Sequence, residues 1–105
     1  MHGMEILALS LCPVSFTPEA CEEIHKIYNS KNIPKEYGLR IATEGGGCAA
    51  VTHIIGFDKV KDTDKIYNLN GLNLLVEKKH LMFLFGITVD YISNGQEQGF
   101  QFINQ

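Results

Sequence analysis

Residues 37–57 have the sequence YGLRIATEGGGCAAVTHIIGF, in which two runs of strand-forming residues flank a glycine-rich segment. In the first run, residues 37–43, Leu39 and Ile41 alternate with polar or small residues, as is typical of a half-buried β-strand. Residues 51–57 form a second β-rich run. The sequence therefore predicts two strands, joined by a connection that contains three glycines and a cysteine.

The connection places Cys48 directly after Gly45, Gly46 and Gly47. Glycine permits positive φ angles and a close approach of the backbone to a bound group. Successive free N–H groups can form a concavity that stabilises a thiolate or the sulfide of a cluster. A plain loop that happens to contain a cysteine is the alternative, because a glycine run alone is weak evidence. The local residues leave both interpretations open.

An α-helix is predicted upstream of these strands, because Thr17 suits an N-cap and Pro18 suits the first helical position. The helix should end between Asn29 and Asn32, before Pro34. Its apolar residues recur at helical spacing, which predicts that one face packs in the core. The residues of this stripe are Cys21, Ile24, Ile27 and Tyr28.

Downstream of residue 57 the sequence predicts a hairpin, a short helix and a last pair of strands. The hairpin spans residues 66–76, since Asn70-Gly71 suits a type I′ turn. Residues 78–85 form the short helix, ended by Gly86, with Phe85 among its core contacts. Strands at 87–92 and 99–103 follow. One early helix is followed by many strands, and strands and helices do not alternate as in βαβ units. This order predicts an α+β domain that is mainly β.

Length and composition are typical of one soluble globular domain of 105 residues, 45% hydrophobic. Nine basic against twelve acidic side chains give a charge of −3, which argues against nucleic-acid binding. No apolar run approaches the ~20 residues of a membrane span. The three cysteines are an odd number, which favours a reducing, cytoplasmic compartment over a disulfide framework. We expect residues 1–12 to be a tail of uncertain role and residues 13–105 to form the domain.

No pair of the histidines has metal-ligand spacing along the chain. His53 alternates with apolar neighbours and should be partly buried, whereas His80 follows two lysines and should be solvated. His25 flanks the helical stripe as a boundary residue. The mixed charges of residues 58–65 predict a solvated loop.

The segment Gly46-Gly47-Cys48-Ala49 resembles the small-Gly-Cys-small loop of the HesB/IscA-like family of A-type iron–sulfur carriers. Four other segments resemble the family's motifs in the same order, so that the likeness extends over about residues 13–104. These segments are Pro13–Ala20, Tyr37–Ile41, Leu81–Tyr91 and Gly99–Asn104.

The resemblance implies a compact β-rich, HesB-like sandwich with one N-terminal helix and a short second helix. It implies a role in iron–sulfur cluster assembly rather than in catalysis, with Cys48 as a metal ligand on a loop supported by Gly45, Gly46 and Gly47. The implied cargo is a [2Fe–2S] cluster or a mononuclear iron. The implied partners are a second copy in a dimer, a cluster donor and apo-protein acceptors.

The family's usual Cys-x-Cys pair beyond the closing strand has no counterpart in these 105 residues. A cluster generally takes four protein ligands. We therefore expect a second chain or a partner to complete the site, with Cys12 as a further candidate ligand. A module of this fold that no longer binds a cluster and acts by interaction or regulation is the alternative. A thiol enzyme with Cys48 as nucleophile and His53 as base is the least favoured hypothesis, since no third orienting group is evident.

Overall fold

The computed structural model describes residues 12–45 and 51–104, which form seven β-strands, two α-helices and one 3₁₀ turn. In chain order the elements are β1 (Val14–Phe16), α1 (Pro18–Ser30), β2 (Tyr37–Glu44), β3 (Thr52–Lys59), β4 (Asp64–Leu69), β5 (Leu72–Glu77), the 3₁₀ turn (Lys78–His80), α2 (Leu81–Leu84), β6 (Ile87–Ser93) and β7 (Gln98–Asn104).

Helix α1 begins and ends as its local sequence predicts. Thr17 is the N-cap in extended conformation, and its hydroxyl accepts a hydrogen bond from the backbone N–H of Ala20 at 3.2 Å. Pro18 occupies the first helical position, where its missing N–H has no consequence. At the other end the N–H of Lys31 donates to the carbonyl of Ile27 at 3.0 Å. The predicted limits of this helix are confirmed.

The strands form two sheets. The four-stranded sheet has the order β3-β2-β5-β4, with β2 and β5 parallel and the two outer pairs antiparallel. The three-stranded sheet has the order β1-β6-β7, with β1 parallel to β6 and β7 antiparallel to it. The predicted β4–β5 hairpin is confirmed, and its turn residues Asn70 and Gly71 have φ angles of 49° and 92°.

The core lies between the two sheets and is closed by one face of α1 and by α2. Its fully buried apolar residues come from both sheets and both helices: Val14, Ala20, Ile24, Leu39, Ile41, Leu72, Leu74, Val76, Leu84, Ile87 and Val89. The predicted fold class, a mainly β α+β sandwich with an N-terminal helix and a short second helix, is confirmed. Neither helix in the described part of the chain is long and apolar enough to span a membrane.

One prediction about a side chain is wrong, and a second holds only in part. Phe85 was expected in the core, but it is 76% exposed because α2 ends at Leu84 and Phe85 takes an extended conformation. The charged residues 58–65 were expected to form a solvated loop, and residues 60–63 are such an exposed connection. Its two ends differ from the expectation, because β3 continues to Lys59 and β4 begins at Asp64, whose side chain is 0% exposed and pairs with Arg40.

Candidate functional site

The β2–β3 hairpin places the predicted site at one end of the four-stranded sheet. The strands pair along their whole lengths, from Tyr37 opposite Lys59 to Glu44 opposite Thr52. Gly45 begins the connection with a φ angle of 89°, a conformation that favours glycine. Gly46, Gly47 and Cys48 lie outside the described residues, so their proposed role as ligand and supporting loop stays a prediction. The structure fixes the two strand ends between which they lie.

Arg40 fixes the position of the hairpin within the sheet. Its guanidinium donates two hydrogen bonds to the Asp64 carboxylate, at 2.6 and 2.8 Å, and one to Asp58 at 2.9 Å. A fourth bond reaches the carbonyl of Lys59 at 2.8 Å. The Arg40 and Asp64 side chains are 11% and 0% exposed. One side chain on β2 thereby joins the end of β3 to the beginning of β4.

The charges of this cluster stabilise one another. Hydrogen bonding from Arg40 holds the pKa of Asp64 below its ordinary value of 3.8. The pKa of Asp58 is also lowered, first by the backbone N–H of Lys59 and then by Arg40. Bonding to Asp64 in turn raises the pKa of Arg40. All three groups are therefore charged at neutral pH, and the cluster is a structural ion-pair network.

His53 links the hairpin to the other sheet. It lies on β3, opposite Thr43 and next to the end of the strand, and its ring stacks on Phe102 of β7. The ring centroids are 5.0 Å apart and the planes are inclined by 12°. The predicted partial burial of His53 is confirmed. This contact brings the closing strand to the same side of the molecule as the hairpin end.

His80 also lies at this end of the four-stranded sheet. It follows β5, which runs parallel to β2 and pairs Val76 with Ile41. The prediction of a solvated ring is wrong for one atom, because Nδ1 is buried and has no hydrogen-bond partner in the described part of the chain. Helix α2 packs both on the 3₁₀ turn that contains His80 and on β2. No signal in the local sequence indicates this long-range packing.

Cys21 does not lie in the core, contrary to the prediction. The buried face of α1 is centred on Ala20 and Ile24, and Cys21 lies about 80° from that centre round the helix. It lines an open groove beside Phe16 and His25. His25 lies at the boundary of the apolar face, as predicted, with its ring nitrogens 2.8 and 3.2 Å from the carbonyl oxygens of Cys21 and Asn70.

Of the two cysteines among the described residues, Cys12 packs against the core. Burial raises the pKa of its thiol, and a backbone hydrogen bond at Val14 partly offsets the effect. The pKa of Tyr67 is raised by burial and further by the neighbouring Cys12. The Cys12 thiol is therefore held in its neutral form close to Tyr67.

Sheet geometry separates this thiol from the hairpin end. Tyr67 pairs with Leu74 and Leu74 with Leu39, a sideways distance of about 10 Å. Glu44 lies five residues further along β2, or about 17 Å. Tyr67 and Glu44 are thus roughly 20 Å apart. A contribution of Cys12 as a second ligand stays a prediction.

Within residues 12–45 and 51–104, the side chains of His, Cys, Asp and Glu form no group of three or more that could hold a metal ion. The described residues therefore flank the Cys48 segment and form no metal site of their own. Strand pairing up to Glu44 and Thr52 and the His53–Phe102 stack hold the hairpin end from which this segment begins. The Arg40 network holds the opposite end of the hairpin, at Asp58 and Lys59.

Comparisons with known proteins match this architecture. The iron–sulphur cluster biosynthesis family matches residues 13–105. The iron-binding protein IscA of Yersinia enterocolitica is 26% identical over 92 residues, which cover 87% of this chain and 84% of IscA. The crystal structure of Escherichia coli SufA, a protein involved in biosynthesis of iron–sulfur clusters, is 25% identical with a TM-score of 0.72. That alignment covers 87% of this chain and 79% of SufA.

A crystal structure of IscA with a [2Fe–2S] cluster has the same fold, with a TM-score of 0.66 at 24% identity. The superposition covers 87% of this chain and 81% of that one. The match to the family extends over nearly the whole chain and agrees with the resemblance of its five motifs. The chain is therefore a member of the iron–sulphur cluster biosynthesis family.

Proposed function

We propose that the protein binds an iron–sulfur cluster, or iron, and passes it on as a carrier or scaffold in cluster assembly, with Cys48 as a ligand. The observation on which this rests most is the family match over residues 13–105. Support comes from relatives that are described as iron-binding or as involved in the biosynthesis of such clusters. No catalytic step is assigned to the chain.

The chemistry of the Cys48 segment fits this role. Thiolates are the commonest ligands of iron–sulfur clusters, and hydrogen bonds to the sulfur atoms tune cluster stability and potential. Glycine residues leave backbone N–H groups free to donate such bonds, since no Cβ obstructs the approach. A rigid hairpin end below the segment would hold the thiolate at a constant position while a cluster enters or leaves.

A second chain or a partner protein would complete the site. One Cys48 supplies one thiolate, and two copies supply two of the four ligands that a [2Fe–2S] cluster generally takes. The remainder would come from Cys12, from a histidine such as His80, from a small thiol such as glutathione, or from the partner. The proposal therefore includes a dimer, a cluster donor, apo-protein acceptors and a cytoplasmic setting.

Anaerobic reconstitution with ferrous iron and sulfide tests the proposal. The wild-type protein should acquire visible charge-transfer absorption, and Cys48→Ser should abolish it. Cys21→Ser is the matched control, because Cys21 lies in a groove on α1, and it should leave the absorption unchanged. Cys12→Ser tests the further ligand and should lower the iron content if this thiol contributes. Size-exclusion chromatography of the same samples should show the dimer only with the cluster bound.

Two outcomes would count against this function in different ways. Unchanged absorption in Cys48→Ser would exclude Cys48 as a ligand but leave cluster binding intact. No iron or cluster in the folded wild-type protein, together with capture of a defined protein partner, would favour the interaction or regulatory module.

A further inference from the structure

An apolar groove borders the exposed end of α2. Its lining is formed by Pro13, Tyr67, Leu81, Met82 and Phe85, around a volume of about 280 Å³. The Met82 and Phe85 side chains are 80% and 76% exposed. Clustered exposed side chains of this size commonly mark a contact surface. The groove is independent of the β2–β3 hairpin and of the proposed function.

The chain enters the first strand at the wall of this groove. The carbonyl of Pro13 accepts a hydrogen bond from the N–H of Gly86 at 2.9 Å, which fixes Pro13 directly beside Phe85. Pro13 is buried, and Cys12 packs against the core near Tyr67. The chain that precedes Cys12 therefore starts from the edge of the groove.

The residues that precede Cys12 are apolar enough to occupy such a groove. Residues 6–11 are Ile-Leu-Ala-Leu-Ser-Leu and contain no charge. In an extended segment Leu7, Leu9 and Leu11 would share one side, and six residues reach about 20 Å. A tether this short gives the segment an effective concentration on the order of millimolar at the groove.

We propose that residues 6–11 dock into this groove of their own chain and cover Met82 and Phe85. The alternating leucines supply the apolar face, and the hydrogen bond between Pro13 and Gly86 sets the point at which the segment begins.

Photo-crosslinking of the full chain tests this docking. The crosslinker p-benzoylphenylalanine replaces Phe85 in one protein and Ile66 in the control. Ile66 is 50% exposed and adjoins Tyr67 in sequence, but it faces the opposite side of β4. We expect about tenfold more within-chain adducts to residues 6–11 from position 85 than from position 66, because only the groove faces the tethered segment.

A pair of charge variants identifies the face of the segment that docks. Leu9→Asp in the Phe85-substituted protein should reduce the adducts to the level of the Ile66 control. Ser10→Asp adds the same charge on the other side and should leave most of the adducts in place. Adducts between two chains would overturn the proposal in favour of an interface between copies. Equal yields at positions 85 and 66, no adducts to residues 6–11, or equal effects of the two charge variants would also overturn it.

Discussion

Arg40 shows how one side chain organises a sheet. Its planar guanidinium presents several donors in a fixed geometry, and its four bonds reach two carboxylates and a carbonyl on β3 and β4, the outer strands of the sheet. The Asp64 side chain is 0% exposed and pairs with Arg40 at 2.6 Å, which compensates its charge. Breaking such a pair on one side is costly, because the remaining charge stays buried without its partner.

Arg40→Leu should therefore lower the free energy of unfolding by about 3 kcal/mol. Arg40→Lys should restore only part of it, since an ammonium group cannot bond Asp64 with two parallel N–H donors. Urea denaturation followed by circular dichroism measures both values. Lys26→Ala is the control, because the pair of Lys26 with Glu23 is exposed and should contribute less than about 1 kcal/mol. Equal losses in the Arg40→Leu and Lys26→Ala proteins would show that the network does not stabilise the fold.

The lowered pKa of Asp64 predicts a pH dependence of stability. The unfolded chain binds this proton more tightly than the folded protein does, so protonation favours unfolding. The stabilisation is complete above the ordinary value of 3.8 and is lost as the pH falls through the lower pKa of the folded state. The stability difference between wild type and Asp64→Asn should be large at neutral pH and shrink below pH 3.8. A difference that stays constant down to the acid transition would contradict the assignment.

At the scale of single elements, Thr17 joins a helix to a sheet. Its hydroxyl accepts from the N–H of Ala20 and donates to the Asp90 carboxylate at 2.7 Å. Asp90 lies on β6, so the cap of α1 is also a contact with the three-stranded sheet. The N–H of Thr17 donates to the carbonyl of Val89 and reinforces the same contact.

Thr17→Ala should lower the free energy of unfolding by about 1–2 kcal/mol, because both the cap and the bond to Asp90 are lost. Thr17→Ser retains the hydroxyl and should keep most of that stability. Thermal unfolding of the two variants and wild type gives the comparison. A serine variant as unstable as the alanine variant would indicate that the methyl group, and not the hydroxyl, is what matters.

The elements were predictable from sequence because their signals are local. Thr17-Pro18, Asn70-Gly71 and the alternation of Leu39 with Ile41 each act over a few residues, and the corresponding helix, turn and strand are confirmed. The side chains that fix the hairpin were not predictable in the same way. Asp64 follows Arg40 by 24 residues, so the local sequence does not show that this aspartate, at the edge of an exposed charged segment, pairs with Arg40.

The same difference between local and long-range signals explains the positions of Cys21 and Cys12. The helical stripe correctly indicates an apolar face on α1, but the centre of that face depends on which side meets β1 and β6, and Cys21 falls outside it. Cys12 packs against the core because the tertiary fold brings it beside Tyr67, 55 residues later in the chain. The place of Cys48 in the chain, between two strands, could be predicted from its glycine neighbours and from the strand pattern on either side.

On the scale of the whole molecule, contacts within and between the two sheets hold the end of the β2–β3 hairpin. Strand β2 lies between β3 and β5 within its own sheet. Between the sheets, the stack of His53 on Phe102 joins β3 to β7 close to that end. A second aromatic pair, Tyr91 with Phe100 at 5.0 Å, lies wholly within the three-stranded sheet. Phe102 therefore has its aromatic partner in the other sheet, whereas Phe100 has its aromatic partner in its own sheet.

This difference predicts that substitutions at the two phenylalanines act on different parts of the molecule. Phe102→Leu removes the aromatic stack with His53 and should speed amide exchange at Thr43 and His53. An aromatic pair contributes about 1 kcal/mol. Its loss lowers the free energy of local opening by that amount, which makes exchange roughly fivefold faster. Phe100→Leu removes a pair of similar energy within one sheet and should leave those two amides unchanged. Hydrogen exchange measured by NMR distinguishes the variants, and equal acceleration in both would mean that the hairpin end is held by global stability alone.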